Sequence, residues 1–211
     1  VAAIPESLPA TITIVLAIGV SRLAKGGAII RRLHAVETLG SINYILTDKT
    51  GTLTQNKMTV SCITIGHKTY IVNDKGSGDL ANYPTEINAL IKAMVLCNDA
   101  QPDNQNNFLG DPIETALLEC VVKLGVNPND IRSEYERIYE IPFSSESKKM
   151  VVVVKNINSP DKITVFVKGA AEVLAEMVTL SASEVKELNN VSAQTGLRNL
   201  IFSYKEISRD E

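Results

Sequence analysis

Asp48-Lys49-Thr50-Gly51-Thr52-Leu53-Thr54 sets a carboxylate in a loop built to meet phosphate. An aspartate so placed can attack a phosphoryl group and carry it as an aspartyl-phosphate, a form of covalent catalysis. Lys49 offsets phosphate charge, Gly51 lets the backbone come close, and Thr50 and Thr52 add hydroxyl and main-chain groups. The same residue types also suit a tight turn with an N-capping Asp and a solvated Lys. What favours chemistry is the context: the apolar, β-branched run at 43–47 predicts a buried strand just before the loop. Asp48 then stands beyond a strand's carboxyl end, where open α/β sheets place their ligands.

A second set lies at the start of the chain, in Val1-Ala2-Ala3-Ile4-Pro5-Glu6-Ser7-Leu8-Pro9. Proline lacks an N–H, so Pro5 and Pro9 deprive the carbonyls of Val1 and Pro5 of helical partners. Between Val1 and Val20 the only ionisable side chain is Glu6, and basic residues begin at Arg22. That apolar length is most of a membrane span, and Arg22, Lys25, Arg31 and Arg32 place the following side in the cytoplasm. Free carbonyls inside a bilayer are tolerated where protein, water or an ion satisfies them. With the Glu6 carboxylate they form hard oxygen ligands suited to Ca²⁺, Na⁺ or a similar cation. A proline kink with a snorkelling Glu6 is the plainer alternative.

A third set is scattered. Phe143 beside Lys148 and Lys149 offers a ring on which an adenine can stack. Lys168, before Gly169 and Ala170, ends a strand and can line an adenine pocket with its stem. Glu114 opens a helix after Gly110-Asp111-Pro112 and can accept a hydrogen bond from an adenine amino group. Arg198 precedes a strand and suits a phosphate fork. Taken singly, each has an ordinary structural reading: core for Phe143, a solvated strand end for Lys168, a first-turn charge for Glu114.

These residues need elements to hold them. A short helix is expected at 35–39, and strands at 58–65, 68–72, 137–141, 150–155, 163–167 and 200–204. Helices are expected at 86–97, 112–124, 170–178 and 185–193, the last opened by a capping box at Ser181 and Glu184. Polar stretches at 73–85 and 98–107 read as exposed loops. Hairpin-like strands with helices between them imply an α+β module with an antiparallel sheet. The chain has 211 residues, 45% of them hydrophobic, enough for a sizeable core. Its net charge of −3 leaves no electrostatic footprint for nucleic acid. Cys62, Cys97 and Cys120 share no metal-ligand spacing and read as reduced, buried thiols. His34 and His67 read as ordinary surface or packing residues.

The Asp48 heptapeptide, continued by Thr54-Gln55-Asn56-Lys57-Met58-Thr59, resembles the phosphorylation signature of the P-type ATPases in their P2, calcium-type branch. The resemblance runs over nearly the whole chain. It implies a broken transmembrane helix and stalk at 1–27 and the N-terminal part of a haloacid-dehalogenase-like phosphorylation domain at 28–57. An antiparallel-sheet nucleotide-binding domain with flanking helices, incomplete at its C-terminus, would follow at 58–211. It further implies ATP and Mg²⁺ as cofactors, with Asp48 as nucleophile and Lys49 and Thr50 beside it. Mg²⁺ would meet the Asp48 carboxylate and the Thr50 carbonyl. Glu114, Phe143, Lys148 and Lys168 would surround the adenosine, and Arg198 would touch phosphate. The transported cation, Ca²⁺ first, would be held by the carbonyls of Val1, Ala2 and Ile4 and the side chain of Glu6.

Those implications define a segment of an ATP-driven cation pump. Its partners would be ATP, the cation, a bilayer around residues 1–20 and the remaining domains of one parent chain, with residues from about 22 onward cytoplasmic. Calcium pumps of the family usually carry glycine where this chain has Ser7. Threonine at position 50 cannot serve as the second acid/base aspartate of related phosphatases, which favours a long-lived phosphoenzyme. The family's later phosphate-domain elements, its actuator domain and its other membrane helices are expected elsewhere in a parent chain. Three alternatives stand beside this reading: a pump for Na⁺ or another cation, a lipid flippase, disfavoured by Glu6, and a nucleotide-binding module without turnover.

Overall fold

A computed structural model describes residues 7–72, 84–103, 107–177 and 181–207. The chain divides into two compact units, Val1–Gln55 and Asn56–Glu211.

In the first unit, helix α1 (Ser7–Lys25) is continuous, and none of its residues is buried. Pro9 sits in its first turn, where a missing N–H removes no intrahelical bond. Thr11 and Thr13 donate their hydroxyls to the carbonyls of Ser7 and Pro9, both at 2.8 Å, as threonines do in apolar helices. The helix is long and apolar enough to cross a membrane, with a mean hydropathy of 1.6. The expected break at Pro5 and Glu6 lies outside the described residues. Helix α2 (Ala35–Gly40) falls where the short helix is expected.

The expected strand at 43–47 does not form. The segment carries no regular structure, and Tyr44, Ile45 and Leu46 are exposed, Leu46 at 98%. An extended segment becomes a strand only when a neighbour supplies its hydrogen-bond ladder, and among the described residues none does.

The second unit carries its own core. Its hairpin β1 (Cys62–Ile65) and β2 (Lys68–Ile71) is followed by α3 (Ile87–Leu96), a two-residue ladder of β3 (Gln101–Pro102) with β4 (Phe108–Leu109), α4 (Pro112–Lys123) and α5 (Pro128–Glu134). A four-stranded antiparallel sheet then runs in the order β5 (Tyr135–Ile141), β6 (Lys149–Asn156), β7 (Ser159–Ala170) and β8 (Leu200–Ile207). Helices α6 (Ala171–Leu174) and α7 (Ala182–Gln194) sit in the β7–β8 connection, separated in part by a 3₁₀ turn at Ala175–Met177. The capping box is formed: Ser181 N–H donates to Glu184 Oε2 at 2.8 Å, and Glu184 N–H donates to Ser181 Oγ at 3.3 Å. Sequence reading missed α5, whose Asn127 cap and Pro128 are visible signals.

Period-two alternation buries Met150, Val152 and Val154 of β6 on one sheet face, and α3 covers them with Ala93, Leu96 and Cys97. The opposite side of α3 packs Ile87, Ile91, Met94 and Val95 against Leu117, Leu118 and Val121 of α4. Helix α3 is thus the shared wall of two clusters, which fixes α4 relative to the sheet. The stretch at 98–107 is not wholly an exposed loop, because Asn98 and Ala100 are buried there. Cys97 and Cys120 are buried free thiols, whereas Cys62 is exposed, lying on the solvent side of its edge hairpin.

Candidate functional site

Register brings the scattered residues to one end of the sheet. Lys168 faces Met150 across β6–β7 and Phe202 across β7–β8. Directly opposed residues share a face, so Lys168 lies on the helix-covered side with Met150. This is why a lysine expected at a solvated strand end is 5% exposed. Its Nζ donates to Glu114 Oε1 at 2.7 Å, with side-chain exposures of 6% and 13%. Glu114 occupies the first turn of α4, which Asp111 caps by accepting from Ile113 N–H at 2.8 Å, with Pro112 at the first helical position.

Neighbouring residues come from the same end. Phe143 follows β5 and is 59% exposed, so it is not a core residue. Lys148 precedes β6 in a left-handed conformation (φ 49°), its N–H donating to Ser144 O at 2.8 Å. Its ammonium lies 3.2 Å from Glu172 Oε1, and both side chains are about half exposed. Glu172 is held below the usual carboxylate range by its own main-chain N–H and then by Lys148. Gly169 permits the close crossing here, since a Cβ would meet Lys148 O at 2.8 Å and Lys149 Cβ at 2.9 Å. Arg198 is exposed just ahead of Leu200, which pairs with Ala170. The sheet end therefore gathers an exposed aromatic ring, two cationic side chains and a Lys–Glu pair whose lysine is buried.

The other expected site belongs to the first unit. Asp48 is exposed, and its Oδ1 accepts the Thr50 N–H at 3.3 Å in a local Asx turn. Gly51 takes φ +76°, and the N–H groups of Leu53 and Thr54 donate to Lys49 O at 3.0 and 3.1 Å, closing the turn. The loop thus presents Asp48 without a tertiary partner of its own among the described contacts. One exposed carboxylate can serve Mg²⁺, which takes few protein oxygens and completes its shell with phosphate and water. Val1, Ala2, Ile4 and Glu6 lie outside the described residues.

Four further residues escaped sequence reading. Asn98 is 1% exposed and donates from Nδ2 to Glu114 O at 2.9 Å and to Met94 O at 3.1 Å. Asp99 N–H donates to Glu114 Oε2 at 3.1 Å. Arg132 and Arg137 donate to the carbonyls of this same turn. Sequence offered no signal beyond the placement of Asn98 directly after an apolar helix.

One end of the sheet thus carries an exposed ring, exposed cations and the Glu114–Lys168 pair, while the Asp48 turn belongs to the other unit. A family model described as the cytoplasmic domain N of P-type ATPases matches residues 86–211. Calcium-transporting ATPase 1 of Lactococcus lactis is 41% identical over 222 residues, covering 99% of this chain and 24% of that protein. Calcium-transporting ATPase 1 of Saccharomyces cerevisiae is 43% identical over 236 residues, with 99% and 24% covered. A probable cation-transporting P-type ATPase of Mycoplasma pneumoniae is 39% identical over 206 residues, with 97% and 21% covered. The chain belongs to the P-type cation ATPase family. It spans about a quarter of the length of the curated relatives it matches.

Proposed function

We propose that this chain is the segment of an ATP-driven calcium pump that binds the nucleotide, accepts the γ-phosphoryl group on Asp48 and contributes Glu6 to the ion site. The observation that carries the reading is the gathering of Glu114, Lys168, Lys148 and Phe143 at one sheet end. Adenine stacks on Phe143 and donates from its amino group to Glu114, while the Lys168 ammonium, 2.7 Å away, holds that carboxylate in place. The exposed Lys148–Glu172 pair is weak enough to open, freeing Lys148 for the nucleotide. Arg198 meets phosphate from the start of β8.

At the other site, an Asp48 oxygen attacks the γ-phosphorus, the bond to the β–γ bridging oxygen breaks, and ADP leaves. Lys49 and the turn N–H groups offset the charge of the transferred group. Asp48 and the Thr50 carbonyl would hold Mg²⁺, which when bound neutralises phosphate charge and aligns the transfer. Calcium is favoured by the names of relatives matching nearly the whole chain and by the hard oxygen set around Glu6. The membrane placement rests on α1 and the basic residues after it. The exposed apolar run at 44–46 supports a second reading for the isolated chain, nucleotide binding without turnover, because the segment leading to Asp48 has no strand partner among the described residues.

The test is phosphoenzyme formation in the full-length parent from γ-labelled ATP and Mg²⁺ with a panel of cations. Label that requires Ca²⁺ and is released by hydroxylamine is the expected result. Label driven by Na⁺ would keep the mechanism and overturn the ion, and no acyl-phosphate under any cation would overturn the pump reading.

A further inference from the structure

Glu114 is held by more than Lys168. Its Oε2 accepts the Asp99 N–H at 3.1 Å and its main-chain carbonyl accepts Asn98 Nδ2 at 2.9 Å. Asn98 is satisfied on every side: its Oδ1 accepts Ala100 N–H at 2.9 Å, and its Nδ2 also reaches Met94 O at 3.1 Å. The turn after α3 is therefore welded both to its own helix and to the first turn of α4. Two guanidinium groups clamp it from the far side. Arg137 donates to the carbonyls of Leu96 and Asn98 at 2.8 and 3.0 Å and to Asp99 Oδ1 at 2.6 Å. Arg132 donates to the carbonyls of Asn98 and Ala100 at 3.2 and 2.9 Å. Arg137 comes from β5 and Arg132 from α5, so two elements converge on five residues of backbone.

We propose that Asn98 and Arg137 are positioning residues that aim the Glu114 carboxylate and so set the preference of the site for an amino-bearing purine. The inference rests on the nucleotide reading above. The mechanism is geometric. A carboxylate held on one oxygen by Lys168 and on the other by the Asp99 N–H keeps one plane, and its remaining lone pairs keep one direction. A donor on the base is rewarded only in that direction. Where the turn relaxes, Glu114 rotates about the Lys168 contact, and the amino group loses its acceptor while the stacked ring and phosphates keep theirs. Binding of a base with a carbonyl in place of the amino group does not draw on this alignment.

The experiment compares ATP with ITP, whose hypoxanthine carries a carbonyl where adenine carries the amino group. Dissociation constants are measured on the whole chain in detergent, for the unsubstituted protein, Asn98→Ala, Arg137→Gln and Arg137→Lys. A single well-placed hydrogen bond to a charged group gives ATP an advantage of about tenfold. Asn98→Ala and Arg137→Gln are expected to reduce that advantage to about twofold or less, mostly through weaker ATP binding, with ITP changed less than about twofold. Arg137→Lys keeps the charge but not the fork, so it should not restore the preference. Arg137 is partly exposed and supplies a folded variant should Asn98→Ala unfold. Parallel loss of ATP and ITP binding, or an unchanged ATP advantage in Arg137→Gln, would overturn the positioning role. Equal affinity of the unsubstituted chain for the two nucleotides would overturn it while leaving nucleotide binding standing. Failure to bind either nucleotide would remove the nucleotide reading itself.

Discussion

The two units hold their chemical groups in different ways. In Asn56–Glu211, Glu114 and Lys168 come from residues 54 positions apart and meet at 2.7 Å, with side chains only 13% and 6% exposed. In Val1–Gln55, no described residue is buried, and Asp48 is fixed by a turn spanning only 48–54. One site is made by tertiary packing, the other by local hydrogen bonds and a motif. A site of the first kind can be preorganised within this chain, because low dielectric and fixed partners strengthen each contact. The second kind presents Asp48 on local bonds, and the exposed run at 44–46 beside it has no strand partner among the described residues.

The largest effect should fall on the locally built site. Asp48→Asn in the full-length parent should abolish acyl-phosphate while leaving ATP affinity unchanged, and label surviving in this variant would remove Asp48 as nucleophile. Next comes the packed site. Glu114→Ala strands the Lys168 ammonium in an interior position, at a stability cost of about 3–5 kcal/mol. Urea unfolding should show that loss, and adding Lys168→Met should recover much of it. An unchanged midpoint would mean that the pair is hydrated and that preorganisation is not what separates the units.

Smaller effects sharpen the contrast. Phe143→Ala should weaken ATP binding by about 1–3 kcal/mol with little change in stability, because the ring is exposed rather than packed. Burial pushes the Cys97 and Cys120 thiols up to about 11, so both stay protonated through neutral pH. A thiol-specific reagent at pH 7.5 should therefore label Cys62 first, and label the other two only on unfolding or as pH approaches 11. Rapid labelling of Cys97 would show that the wall between the sheet and α4 opens readily.

Legibility in the sequence followed the same division. The Asp48 turn was readable because its geometry is encoded in seven consecutive residues, Gly51 included. Helix caps were readable for the same reason, as at Ser181 and Glu184. Strands of the large sheet were found but placed short by one to several residues, since β7 and β8 continue through charged positions that only pairing makes extended. The strand at 43–47 failed in the opposite sense: its composition is right, but a ladder depends on partners and not on composition. Lys168 was named, yet its burial was not, because facing direction follows from register with Met150. Arg132 and Arg137 left no signal and Asn98 only its place after an apolar helix, since their role is to join α3, α5 and β5, a relation with no sequence spacing.

The most direct test is where ATP sits. Titrating ATP into the whole isotopically labelled chain in detergent and following amide resonances maps the contact surface residue by residue. The account requires the largest perturbations at Phe143, Lys148, Lys168, Gly169 and Glu114, fading toward the far side of the 96–100 turn. Perturbations centred instead on the cleft lined by Arg132, Tyr135 and Arg137, with Phe143, Lys148 and Lys168 silent, would contradict it.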